Sequence, residues 1–128
     1  MKYKDADIEN WPHSWAGVAD DVHYGKQVLP YMKDFIAFLK QKNLSIKTVN
    51  SHIDELWALG GAIVDELHAD KKNRGMEPLK LIFMLIDDEG GPLLDARGNQ
   101  ASFDRTCKKF YLFLRAQRNT GISCQTYS

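Results

Sequence analysis

The sequence lacks an excess of either charge. Its 17 Lys and Arg balance 17 Asp and Glu across 128 residues, leaving a net charge of zero. That balance excludes a histone-like or polybasic binder, which carries a large positive surplus. Long apolar runs are also missing, and none approaches the roughly 18 residues that span a bilayer, so no membrane association is expected. The opening Met1-Lys2-Tyr3-Lys4-Asp5-Ala6-Asp7 has no apolar core, so no secretory signal is expected either. Cysteine is scarce. Cys107 and Cys124 form no CxxC and cannot build a disulfide framework, which points to a reducing cytosol.

What is present reads as one all-α domain, a compact bundle of four or more helices over residues 1–120. Residues 1–25 are expected to form an aromatic-rich arm packed on it, and 121–128 a frayed tail. A chain of this length buries about two-thirds of its unfolded surface. Trp11 and Trp15 stand too close together to be left in water without cost, so the arm is expected to lie on the body. Val28, Met32, Phe35, Ile36 and Leu39 recur at helical spacing. Pro30 fits a first turn and would start that helix near Leu29, while Asn43 would close it with a left-handed cap.

The second helix has a clear start, because the Ser45 hydroxyl can cap the N–H of Lys47 or Thr48. Val49, Ile53, Leu56, Gly60, Ile63 and Leu67 then form one stripe, predicting a helix from Ile46 to about His68. Gly60 and Gly61 each cost it roughly 1 kcal/mol relative to Ala. Close approach by a neighbouring helix or an N-terminal aromatic would explain them, and a kink is the rival. Asp70–Gly75 reads as a charged loop. The apolar run Leu81–Ile86 fits a short buried helix beginning at Pro78, or else a hairpin pairing Leu79–Ile86 with Pro92–Leu94. The last helix is expected to begin at Ser102, with Phe103, Cys107, Phe110, Tyr111 and Leu114 as its apolar stripe.

Zero net charge conceals blocks. Residues 26–53 carry +4, 54–70 carry −5, 87–104 carry −4 and 105–128 carry +5. These blocks can pair with one another on a solvated surface. They can also make a basic face opposite an acidic one, and such a dipolar protein binds a polyanion without net charge.

The segment Met32–Leu39, followed by Leu44-Ser45-Ile46-Lys47-Thr48-Val49 and then His52, Ile53 and Leu56, resembles the N-terminal core-binding domain of tyrosine recombinases and phage integrases, a SAM-like helical bundle. The match covers about a quarter of the chain. The resemblance implies that Lys40, Lys42, Lys47, Thr48, Asn50 and Ser51 face DNA, with Lys108, Lys109, Arg115 and Arg118 extending the surface if the last helix packs beside it. A helix N-terminus with nearby lysines suits a phosphate. The chain also looks like a group of short bacterial proteins that share Trp11–Asp21, Leu56-Trp57-x-Leu-Gly-Gly61 and Phe103-Asp104-x-Thr106-Cys107, a likeness that implies no activity. The departures from the recombinases are large: there is no His-x-x-Arg and no room after Leu67 for a catalytic domain, so strand cleavage is not expected.

No enzyme is expected. There is no Gly-x-Ser-x-Gly, no phosphate-binding Gly-rich loop and no His-Glu-x-x-His. Asp65 and His68 share a helical face but do not make a metal site, and no cofactor is expected. His13 and His23 with Asp20 and Asp21 could form an acid–base cluster, but a structural role fits better, with an Asp capping the following helix and His13 satisfying a backbone group. The expected function is therefore a non-catalytic binding protein for DNA or a DNA-processing partner in a bacterial or phage mobile element. The alternative is a protein–protein module, an antitoxin-like partner or an inhibitor of a nucleic-acid enzyme. In it Trp11 and Trp15 serve as anchors, and Asp54, Glu55, Asp65 and Glu66 imitate phosphate charge. A homodimer burying Leu81–Ile86 is a third possibility.

Overall fold

The computed structural model describes residues 4–93 and 99–121. Its elements are α1 (Asp5–Glu9), α2 (Trp11–Trp15), α3 (Ala19–Lys40), α4 (Ile46–Ala69), a 3-10 turn (Lys71–Gly75), α5 (Pro78–Leu85) and α6 (Gln100–Gly121). The described residues form an all-α fold, whose single β feature is an isolated bridge between Asp87 and Gly90.

The central pair is α3 and α4. They run antiparallel, because Asp21 near the start of α3 meets His68 near the end of α4 at 2.8 Å. The α4 stripe behaves as its spacing predicts: Ile53, Leu56, Ile63 and Leu67 are buried, and Ser45 Oγ accepts the Thr48 N–H at 3.1 Å. The start of α3 differs from the expectation. It begins ten residues before Leu29, with Pro30 inside it. Proline removes the N–H that would bond the Lys26 carbonyl, but Pro30 and Lys26 both lie on the exposed face, where water can take that bond. Asp21 fixes the earlier start, its Oδ2 accepting the N–H groups of Gly17 at 2.8 Å and Val18 at 3.0 Å. At the other end Gln41 caps α3 in right-handed geometry. Asn43 takes no left-handed conformation, since no described non-glycine residue has positive φ.

Ile8, Trp11 and Trp15 are buried. The Trp15 indole packs closely against Gly60, where an added Cβ would come within 2.0 Å of the ring, and its Nε1 donates to the Trp57 carbonyl at 2.9 Å. Gly60 is thus a seat for an aromatic ring. Gly61 has nothing within 4 Å of its Cβ position.

The loop expected at Asp70–Gly75 is a 3-10 turn, capped by Asp70 Oδ1 accepting the Lys72 N–H at 3.0 Å. Asn73 is buried and donates to the Glu66 carbonyl at 2.9 Å, closing the turn onto α4. The run Leu81–Ile86 takes the helical alternative. Leu81, Ile82 and Ile86 are buried within the chain, Phe83 and Leu85 are half-buried, and Met84 is the exposed large residue of the run. Gly90 turns the chain at φ 144°, and Asp104 of α6 clasps the turn by accepting the Gly91 N–H at 3.1 Å. Helix α6 starts two residues before Ser102. Asn99 is its cap, accepting the Ser102 N–H at 3.1 Å, and Asn serves there as well as Ser. The expected tail from residue 122 onward, with Cys124, lies outside the described residues, as do Leu94 and the side chain of Arg118.

Candidate functional site

The end of α3, the linker 41–45, the start of α4 and the middle of α6 meet at one end of the molecule. Four phenylalanines bring them together: the Phe35 ring lies 5.1 Å from Phe110 and 5.4 Å from Phe113, and Phe38 lies 4.9 Å from Phe113. Beside this cluster opens a groove of about 580 Å³, floored by Phe38, Leu39 and Phe113, with Leu44 and Leu112 at its lips. Lys42 and Lys109 are the charged residues that line it. Lys42 Nζ sits 4.6 Å above the Phe38 ring, a cation–π contact that lays the lysine stem along the wall.

Helical geometry divides the basic residues of α6 into two stripes. Arg105 and Lys109 are four apart and share one face, which continues through Leu112, Phe113 and Ala116 along the groove. Lys108, Tyr111 and Arg115 form the other. Arg115 Nη1 donates to the Tyr111 hydroxyl at 2.8 Å, and that ring packs edge-on against Phe83 of α5. Lys109 therefore joins Lys42, whereas Lys108 and Arg115 look elsewhere. Lys40 and Lys47 are exposed at the helix ends flanking the linker. Arg105 is absent from the expected set, although its spacing from Lys109 marks it.

The remaining residues of the α4 start are partly engaged in structure. Thr48 Oγ1 accepts from the Ser45 hydroxyl at 2.9 Å. Asn50 is half-buried and its Oδ1 is buried with no donor among the described residues, so its amide is turned inward. Ser51 is exposed. One turn on, His52 is buried and its Nδ1 shares a hydrogen bond with Thr106 Oγ1 at 2.7 Å. Burial, reinforced by the positive fields of Lys109 and Arg105, lowers its pKa. A neutral imidazole sealed between α4 and α6 is a structural pin.

The second polar cluster lies at the opposite end. The fully buried Asp21 carboxylate accepts from His68 Nε2 at 2.8 Å, Arg74 Nη2 at 2.8 Å and the two backbone N–H groups already described. Burial opposes its charge, but the bonds from His68, the backbone and Arg74 outweigh burial and hold its pKa well below the usual carboxylate range. Both oxygens of this carboxylate are engaged, Oδ2 by the two backbone N–H groups and His68 and Oδ1 by Arg74, so it closes the fold around the α3 start. His13 and His23 are exposed, and His23 bonds Gln27 at 2.8 Å rather than an aspartate. Among the described residues, no group of three or more His, Cys, Asp or Glu side chains is placed to hold a metal ion. No described helix is long and apolar enough to cross a membrane.

Trp11 and Trp15 are 4% and 8% exposed; their indoles are spent inside the protein and present no anchor to a partner. Trp57, 46% exposed, is the tryptophan that faces solvent. It borders a shallow groove with Glu55 and Asp65, while Asp54 and Glu66 lie half-buried on the same helix. No family model matches the chain, and neither a curated protein nor a solved structure is found to match it.

Proposed function

We propose that the protein is a non-catalytic binding module that contacts the phosphate backbone of DNA through the end of the bundle where α3, α4 and α6 meet. In this reading the bundle is of the SAM-like core-binding type, with the N-terminal aromatic segment as an arm, and the protein works without a cofactor in the cytoplasm, in a bacterial or phage mobile element. The observation that carries it is the convergence of Lys42, Lys109 and Arg105 beside the capped start of α4, with Lys40 and Lys47 exposed at its flanks. Lysines around a helix N-terminus supply charge and oriented N–H groups, the two things a phosphate takes from a protein. The test is fluorescence anisotropy of labelled duplex DNA against the wild type and a Lys42→Glu, Lys47→Glu, Lys109→Glu variant. All three side chains are exposed, so the variant is expected to melt as the wild type does while losing DNA affinity at least tenfold. Equal affinity of the two proteins would end the reading.

The exposed Trp57 favours a second reading, a protein–protein module using the acidic face of α4. An indole bordered by carboxylates suits a partner with an apolar anchor and basic surroundings. Here Glu55→Lys with Asp65→Lys would abolish a stoichiometric complex with a protein partner and leave DNA affinity unimpaired. A complex that survives both reversals would refute it.

A further inference from the structure

We infer that the groove between α3 and α6 is a binding site for a medium-chain alkyl carboxylate, a free fatty acid. Its chain lies on Phe38, Leu39 and Phe113, and its carboxylate sits between Lys42 and Lys109. Size is the first argument. The groove holds about 580 Å³, inside the roughly 300–1,000 Å³ typical of small-molecule sites, and it has their character, an apolar lining with few polar groups. Charge is the second: among the described residues the titratable groups lining the groove are the two lysines, with no carboxylate beside them. An anion is attracted there and a cation repelled.

The third argument is what the groove leaves in water. Leu44 is 39% and Leu112 50% exposed, two large aliphatic side chains at the lips of one apolar channel. A sugar–phosphate backbone neutralises the lysines but leaves those surfaces against polar atoms; an alkyl chain covers them. Lys42 is already drawn over Phe38 at 4.6 Å, so one ammonium is held at the mouth before any ligand arrives. This site goes beyond the DNA reading and stands without it, since it requires no affinity for nucleic acid.

The full-length protein titrated with straight-chain carboxylates of 8, 10, 12 and 14 carbons, below their aggregation concentrations and followed by calorimetry and amide chemical shifts, tests the proposal. Each added methylene is expected to tighten Kd about fourfold until the groove is filled, after which affinity levels off. Decanoate should bind at least fivefold more tightly than decanol, and Lys42→Gln with Lys109→Gln should erase that difference while decanol binding stays. Shift changes should centre on Leu44, Leu112 and Phe113. Leu112→Asp, at a half-exposed position that does not support the core, should abolish binding with the melting curve unchanged. Absence of binding at millimolar decanoate, affinity indifferent to chain length, equal binding of decanoate and decanol, or shifts centred elsewhere would each overturn the assignment. Salt-dependent DNA binding measured on the same protein sample reports separately on the nucleic-acid reading, so either can fail alone.

Discussion

Two adjacent glycines in α4 are expected to respond with opposite sign to the same substitution. In Gly60→Ala the new methyl would come within 2.0 Å of Trp15 Cζ2 and 2.1 Å of Cε2, whereas carbon atoms pack at about 3.5–4 Å, so the ring must retreat by about 1.5 Å. Trp15 is not free to do so, because its Nε1 donates to the Trp57 carbonyl at 2.9 Å and its ring is buried against α3 and α4. Overpacking costs about 1–3 kcal/mol, and loss of the indole hydrogen bond about 1 kcal/mol more. Alanine returns about 1 kcal/mol of helix propensity. The net expectation is destabilisation by about 2 kcal/mol. Gly61→Ala meets nothing within 4 Å, so propensity acts alone and the protein gains about 1 kcal/mol. Urea denaturation followed by circular dichroism at 25 °C measures both. For a chain of this size the two midpoint temperatures should also diverge by about 10 °C. In a Trp15→Ala background the Gly60→Ala penalty should vanish, since the ring it strikes is gone. Equal stability of Gly60→Ala and Gly61→Ala, or a penalty that persists without Trp15, would refute the reasoning.

The buried polar groups give further expectations. Asp21→Ala removes the acceptor for four donors and leaves Arg74 without its carboxylate; the cost should be about 3–5 kcal/mol by denaturant titration. Because Asp21 has a lowered pKa when folded, its contribution is present above the unfolded value near 3.9 and disappears as pH falls below it. His52 acts in the same direction at higher pH. Its folded pKa lies below the unfolded value near 6.5, so the unfolded state binds more protons and stability falls as pH drops through that value. A His52→Gln variant should lose the slope of stability against pH between about 6.5 and 5, and retention of the slope would show that another group causes it. The Cys107 thiol is pushed up to about 12, first by burial and then by Asp104 and Glu55. Its peptide should stay unlabelled by iodoacetamide in native buffer and become labelled in urea, as read by mass spectrometry; rapid native labelling would contradict its burial.

Local signals in the sequence were readable and distant pairings were not. Helix α4 was legible because its cap and its apolar stripe lie within one continuous segment, from Ser45 to Leu67. The start of α3 was not, because the rule that places proline in a first turn assumes that the freed carbonyl must be satisfied by protein, and Lys26 faces water instead. Asp20 and Asp21 both suggested a cap, yet the ion pairs of Asp21 come from His68 and Arg74, 47 and 53 residues away. Trp15 and Gly60 were each conspicuous alone; only the return of α2 across α4 joins them. The groove had the same difficulty. Lys42 and Lys109 belong to separate basic blocks, and the packing of Phe35 and Phe38 on Phe110 and Phe113 brings them to one mouth. The two stripes of α6 were, by contrast, available from helical periodicity alone.

The central claim is that the basic end of the bundle neutralises phosphates, and the salt dependence of DNA binding tests it most directly. Each phosphate contact releases a counterion and adds about −0.9 to the slope of log affinity against log salt. Contacts from Lys42, Lys47, Arg105 and Lys109 therefore predict a slope of about −3 to −4 for duplex DNA between about 20 and 200 mM salt. Removing Lys42 and Lys47 should bring it to about −2. No binding at the lowest salt, or a slope that the double variant leaves unchanged, would contradict the account.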